Sequence, residues 1–228
     1  MGFSHGGQST LYSSMTRFRK AYGPTGEQEF AAHITFYPAC VTKYRGDDQV
    51  TARPIRVLHG TADDYNPIAP CRAYVERVSK LGKDIRLVEY PDASHVFDAP
   101  AFKEPRKVTA APTTARCVLA EGDNGAIMNE ETKQPFSYGD ACVVKGPTVA
   151  YNEAASNQAR VYVRTFMKEV LWAAMLNRWV ITSTLGVSTK ATTELAFGYP
   201  RKSRQLDLVW SLRSDLVSAQ NFSIGNDD

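Results

Sequence analysis

The spacing of apolar residues changes period several times along the N-terminal half of the chain. Leu11, Tyr12, Met15 and Phe18 recur at helical spacing, with Arg17, Arg19 and Lys20 on the other side. This predicts an amphipathic helix over 9–22, ended near Gly23-Pro24. His33-Ile34-Thr35-Phe36-Tyr37 is β-branched and aromatic and stops at Pro38, hence a strand. The polar stretch with Arg45-Gly46-Asp47-Asp48 reads as a loop, and Ile55-Arg56-Val57-Leu58 as a second strand running into His59-Gly60. Ala73, Tyr74, Val78 and Leu81 predict a helix over 70–81 closed by Gly82. Ile85-Arg86-Leu87-Val88-Glu89-Tyr90 alternates as a third strand, stopped by Pro91. Strands alternating with helices predict an α/β fold with a mostly parallel sheet, whose chemistry belongs in the loops at the strands' carboxyl ends.

Composition narrows the class without naming an activity. A chain of 228 residues with 43% apolar and 22% charged residues suits one soluble domain, with room for an appendage. A net charge of +3 is too small to imply a nucleic-acid partner, and Arg201, Lys202 and Arg204 read as a solvated surface cluster. Met1 leads directly into glycines and polar residues, which predicts no signal peptide in this sequence. The apolar stretch 171–187 is interrupted by Asn177, Arg178 and several Ser and Thr, so no membrane partner is expected.

The loops at the predicted strand ends hold Ser4, the pair Asp63-Asp64, and His95, in that chain order. A serine hydroxyl is a weak nucleophile until a base takes its proton, and histidine titrates in the useful range. A carboxylate on the far imidazole nitrogen fixes the tautomer and stabilises the imidazolium that forms. Gly2-Phe3-Ser4-His5-Gly6 has the G-x-S-x-G spacing of a tight strand-to-helix turn, where small flanking residues avoid clashes. The helix that follows would aim its N-terminal amides at the serine, with the backbone N–H of His5 as the first oxyanion donor. Of the four histidines, His5 is too close to turn back onto Ser4, His33 opens a strand, and His59 braces the loop carrying Asp63. His95 remains as the base.

Cys40, Cys71, Cys117 and Cys142 form no CxxC or other metal-ligand spacing with the histidines. Their even number fits two disulfides in an oxidising compartment and equally four buried thiols.

At three segments the sequence resembles the dienelactone hydrolase family of the α/β-hydrolase superfamily. GFSHGG is similar to its nucleophile elbow, HGTADDYNP to its acid loop and YPDASHVFD to its histidine loop. The resemblance covers 1–171, because QPFSYGDACVVKGPTVAYN also resembles the tail region of exported (periplasmic) members, with a final helix after it. It implies Ser4 as nucleophile, Asp63 as acid, three residues after Gly60, and His95 as base, with Asp64 capping the following turn. It also implies a small-molecule ester or lactone substrate, no cofactor and no metal. The founding members carry cysteine at the elbow; serine here favours general ester chemistry. The family picture pairs Cys40 with Cys71 and Cys117 with Cys142.

Two departures shape the expectation. The family's early strands, including the one entering the elbow, are expected to be missing, leaving three strands with an open edge in a chain that starts inside the fold. From 172 to 228 the resemblance stops, and this tail is either an extension over the open edge or sequence from a shifted reading frame. The competing reading is a catalytically inactive remnant acting at most as a binding module.

Overall fold

The computed structural model describes residues 1–26 and 28–184, the last twelve of these as helical backbone only. The expectations for the basic cluster at 201–204 and for the tail beyond 184 lie outside the described residues. No described helix is long and apolar enough to cross a membrane. The chain falls into two compact units, Met1–Ala159 and Arg160–Asp228. In the second, the described residues from Arg160 onward are helical.

The first unit is built on a sheet of strands β1 (Gly2–Phe3), β2 (His33–Phe36), β4 (Ile55–Gly60) and β5 (Ile85–Tyr90), in that spatial order. All its pairings are parallel. Strands β2 and β4 are buried along their whole length, as expected of central parallel strands covered on both faces. Their apolar runs explain this, and the one charge in β4, Arg56, is neutralised by Asp84 through bonds of 2.8 and 3.1 Å. Strand β5 lies at the edge: Ile85 and Tyr90 are buried, while Arg86 and Glu89 face solvent. A strand entering Ser4, expected to be missing, is present as β1, so the parallel sheet has four strands rather than three.

The expected single helix over 9–22 is two helices, α1 (His5–Ser13) and α2 (Thr16–Tyr22). Between them Met15 is extended and bridges Val50, flanked by bonds from the Thr16 amide to the Gln49 carbonyl and from the Thr51 amide to the Ser14 carbonyl. Pairing with a distant segment outweighs local helical propensity here while Met15 stays in the core. Helix α3 (Ile68–Ser79) begins two residues before the periodicity suggests. Pro70 falls in its first turn, where a missing N–H costs nothing.

Leu11 from α1, Met15 and Val50 from the bridge beyond it, Ile55 and Val57 from β4, Ile85 from β5, and Tyr74, Val75 and Val78 from α3 make the main core. Each fully buried aliphatic side chain contributes about 1.5–3 kcal/mol relative to exposure.

A second, smaller sheet has the order β10-β9-β8-β3, from Gln134–Pro135, Ile127–Asn129, Leu119–Glu121 and Thr42–Lys43. Short ribbons pair β11 (Val144–Lys145) with β7 (Pro112–Thr113) and β12 (Thr148–Val149) with β6 (Arg106–Lys107). Helix α4 follows, Glu153–Thr184. The disulfides are Cys40–Cys71 and Cys117–Cys142, the pairs that the family resemblance implies. By chain entropy, closing loops of such length stabilises by about 3.5 kcal/mol each.

Candidate active site

Ser4 stands at the joint between β1 and α1 with φ 51° and ψ −118°, a conformation that costs about 1–3 kcal/mol in a non-glycine residue. Its amide donates to the Phe36 carbonyl (3.0 Å), and its own carbonyl accepts from the Gln8 amide (2.8 Å), so neighbouring backbone holds the strain. The amide of His5, the first residue of α1, is one of the helix-end N–H groups that no intrahelical carbonyl takes. The His5 side chain is exposed.

The glycine requirement differs from the G-x-S-x-G reading at one position. A Cβ on Gly2 would sit 2.1 Å from the Gly6 carbonyl oxygen, whereas a Cβ on Gly6 meets nothing within 4 Å. The close approach falls instead on Gly7, whose Cβ would lie 2.5 Å from the Phe36 carbonyl oxygen. Gly6→Ala is therefore expected to be neutral or to raise stability by about 0.5–1 kcal/mol, as alanine does inside a helix. Gly7→Ala should lower the melting temperature by several degrees; paired thermal melts check both.

Asp63 and His95 lie in the loops after β4 and β5, both buried. The His95 ring spans Ser4 and Asp63: Nε2 is 2.9 Å from Ser4 Oγ, and Nδ1 is 2.8 Å from Asp63 Oδ2. Since a carboxylate only accepts, Nδ1 carries the proton and donates it to Asp63, leaving the Nε2 lone pair for the serine hydroxyl. Asp63 Oδ1 accepts the amides of Tyr65 (2.9 Å) and Asn66 (2.8 Å), so the loop's own backbone aims the carboxylate. Asp64 does not cap that turn, as expected of it, because Asp63 already does. Its carboxylate accepts from the Thr148 amide (2.7 Å) and hydroxyl (3.0 Å), tying the acid loop to β12.

Two residues that sequence reasoning passed over hold the imidazole. The rings of Tyr37 and Tyr65 each lie 4.7 Å from that of His95. Tyr37 has φ 37° and is fully buried, and its hydroxyl donates to Asp98 Oδ1 at 2.6 Å. Its carbonyl accepts from the Asn66 side chain (2.9 Å), joining it to the acid loop.

A cavity of about 330 Å³ opens in front of Ser4 and is walled by Val41, Tyr65, Leu119, Ile127, Phe136 and Tyr138. Leu119 and Ile127 come from the small sheet, and Val41, Phe136 and Tyr138 from the segments that flank its short strands, which carry no strong periodicity. A separate cavity of about 450 Å³, lined by Tyr12, Phe18, Phe30 and His33, includes none of Ser4, Asp63 and His95. Among the described residues no His, Cys, Asp and Glu cluster could hold a metal ion.

Residues 1–171 match the profile of the Dienelactone hydrolase family, three quarters of the chain by length. The chain belongs to this family. Among solved structures, esterase PE8 is 20% identical with a TM-score of 0.32, over 42% of this chain and 41% of its own. Butyrate-bound esterase Est2 of the planctomycete Thermogutta terrifontis is 22% identical with a TM-score of 0.34, over 42% of this chain and 46% of its own. Carboxylesterase Cest-2923 of Lactobacillus plantarum is 16% identical with a TM-score of 0.39, over 74% of this chain and 57% of its own. The match thus spans less than half the length of PE8 and Est2. No curated protein sequence matches significantly.

In this dienelactone hydrolase family member the two remaining histidines are structural. His33 Nδ1 lies 3.1 Å from Ser13 Oγ and 3.3 Å from the Thr10 carbonyl oxygen, and His59 Nδ1 donates to the Gly60 carbonyl (3.1 Å) at the entrance to the acid loop. Burial depresses the pKa of both, since it penalises the charged imidazolium. Both are therefore neutral in the fold while the unfolded chain takes up protons near pH 6.5. Their contribution to stability is full above that value and is lost as pH falls below it. Urea unfolding should show a midpoint that drops from pH 7.5 to about 5.5, and less steeply in His33→Gln.

Proposed function

We propose that this protein is a serine hydrolase that cleaves ester or lactone bonds through an acyl-enzyme on Ser4, with His95 as general base and Asp63 as its orienting acid. The observation that carries the reading is the unbroken path from Ser4 Oγ through His95 to Asp63 at 2.9 and 2.8 Å. It starts at a strained strand-to-helix joint and faces a cavity.

Each step follows from those contacts. Ser4 Oγ attacks the substrate carbonyl carbon while His95 Nε2 takes its proton, and Asp63 stabilises the imidazolium. The oxyanion forms near the positive end of α1, where the His5 amide is a donor. The C–O bond to the alcohol breaks, and the departing oxygen receives the proton from His95. Water enters, loses a proton to Nε2 and attacks the acyl carbon; the acid leaves and Ser4 regains its hydrogen. No metal or organic cofactor takes part in this sequence. Residues 1–171 carry the chemistry, and 172–228 form a tail outside it.

Stopped-flow hydrolysis of p-nitrophenyl acetate tests the acyl-enzyme. The expected trace is a burst of p-nitrophenol equal to the enzyme concentration, absent in Ser4→Ala. Release without Ser4 dependence would contradict the reading.

A further inference from the structure

The cavity before Ser4 is closed on one side by residues that all lie between Cys117 and Cys142: Leu119, Ile127, Phe136 and Tyr138. This segment has little interior of its own. Its apolar cluster is Cys117, Leu119 and Cys142, with Val41, Ile127, Phe136 and Val143 packed against them, so the disulfide sits at the centre of the wall. Asn129, buried behind it, donates to Asp140 Oδ2 (2.8 Å) and approaches Cys142 Sγ (3.7 Å), binding the returning chain to β9 at the same point. It joins the body of the protein where β8 pairs with β3 over Thr42↔Leu119 and Lys43↔Ala120, and where Glu121 and Asp123 accept from Arg17 and Arg45. Ser4, Asp63 and His95 come from outside the disulfide-closed segment, so the wall can change without displacing them.

The chemistry of the wall is as informative as its position. Among the described residues, no Asp, Glu, Lys or Arg side chain lines the cavity. A volume of about 330 Å³ lies at the small end of ligand pockets. An unpaired carboxylate placed there would lose part of its hydration with no lysine or arginine to replace it, His5 being the one histidine in the lining.

From these observations we propose that the segment closed by Cys117–Cys142 is a selectivity wall, which admits a short, uncharged chain on one side of the scissile ester bond and excludes long or anionic ones. The proposal rests on the reading of Ser4 as nucleophile. Phe136 and Ile127 set the depth of the pocket, and the disulfide sets their position.

The test measures kcat/KM for methyl esters of lengthening acids, acetates of lengthening alcohols, and monomethyl succinate against methyl butyrate. The chains compared are wild type, Phe136→Ala, Ile127→Ala, the paired Cys117→Ala and Cys142→Ala variant, and Ser4→Ala. In the wild type, kcat/KM should fall by about 10-fold or more between four- and eight-carbon chains in one series, on the scale of excluded methylenes. Methyl butyrate should exceed monomethyl succinate by about 100-fold. Phe136→Ala and the paired cysteine variant should flatten the length dependence. If the cysteine variant does not fold, as judged by circular dichroism, Phe136→Ala and Ile127→Ala decide. Ser4-dependent turnover whose length preference is unchanged in those variants, or equal turnover of the anionic ester, overturns the selectivity wall alone. Turnover that survives Ser4→Ala overturns the reading of the nucleophile itself.

Discussion

Ser4→Ala and His95→Ala are each expected to lower kcat/KM for an ester by about 10⁴-fold or more, while the far-ultraviolet circular dichroism stays that of the wild type. The two losses should not add, because the proposed nucleophile and base would act as one unit: without Nε2 at 2.9 Å the hydroxyl keeps its proton, and without the hydroxyl the base has nothing to activate. Asp63→Asn is the more discriminating exchange. The amide oxygen can replace Oδ1 and still accept the Tyr65 and Asn66 amides, so the loop keeps its shape. The amide nitrogen then faces His95 Nδ1, and two donors cannot meet there. The ring is driven to the tautomer with its proton on Nε2, where it can no longer accept from Ser4. Turnover should fall to the level of His95→Ala with no loss of melting temperature, whereas Asp63→Ala should lower both. Steady-state kinetics beside thermal melts separates these outcomes.

Gly60→Ala should be the most damaging exchange away from the reacting atoms. Gly60 ends β4, and a Cβ there would stand 2.0 Å from the Ala93 carbonyl oxygen and 2.6 Å from its carbon. Both are backbone atoms, so no side chain can swing aside. The same carbonyl accepts the Ala62 amide at 3.1 Å, so the contact stitches the acid loop to the histidine loop just before His95. Relief requires the loops to part, which stretches the 2.8 Å bond between Asp63 and His95. Overpacking of this kind costs about 2–3 kcal/mol. The catalytic loss should exceed what the stability loss explains, since displacement of about 1 Å costs about 100-fold in rate. A chemical melt gives the first quantity, and kcat/KM measured well below the melting temperature gives the second.

The strands that carry the site were legible because buried parallel strands are written in continuous apolar and β-branched residues. His33–Phe36 and Ile55–Gly60 are buried at every position, and Pro38 and Pro91 mark where the chain leaves the sheet. Asp63 and His95 stood out because each follows a predicted strand, and Ser4 because of the G-x-S-x-G spacing around it. What escaped notice depends on partners remote in sequence. Met15 breaks the helical pattern only because Val50 offers a bridge. Gly7 rather than Gly6 needs its bare Cα because the Phe36 carbonyl passes there. Asp64 looked like a turn residue but reaches Thr148, and Tyr37 looked like the end of a strand while bracing His95. The pocket wall was least visible, since strands of two or three residues show no period and gain their position from Cys117–Cys142 and the edge of β3.

The most direct test of the proposed nucleophile is fluorophosphonate labelling followed by peptide mass spectrometry. One adduct is expected, on Ser4, formed readily by the wild type, lost in Ser4→Ala and slowed by orders of magnitude in His95→Ala. A folded wild-type chain that takes no label, or one labelled at another residue with unchanged rate in His95→Ala, would contradict it.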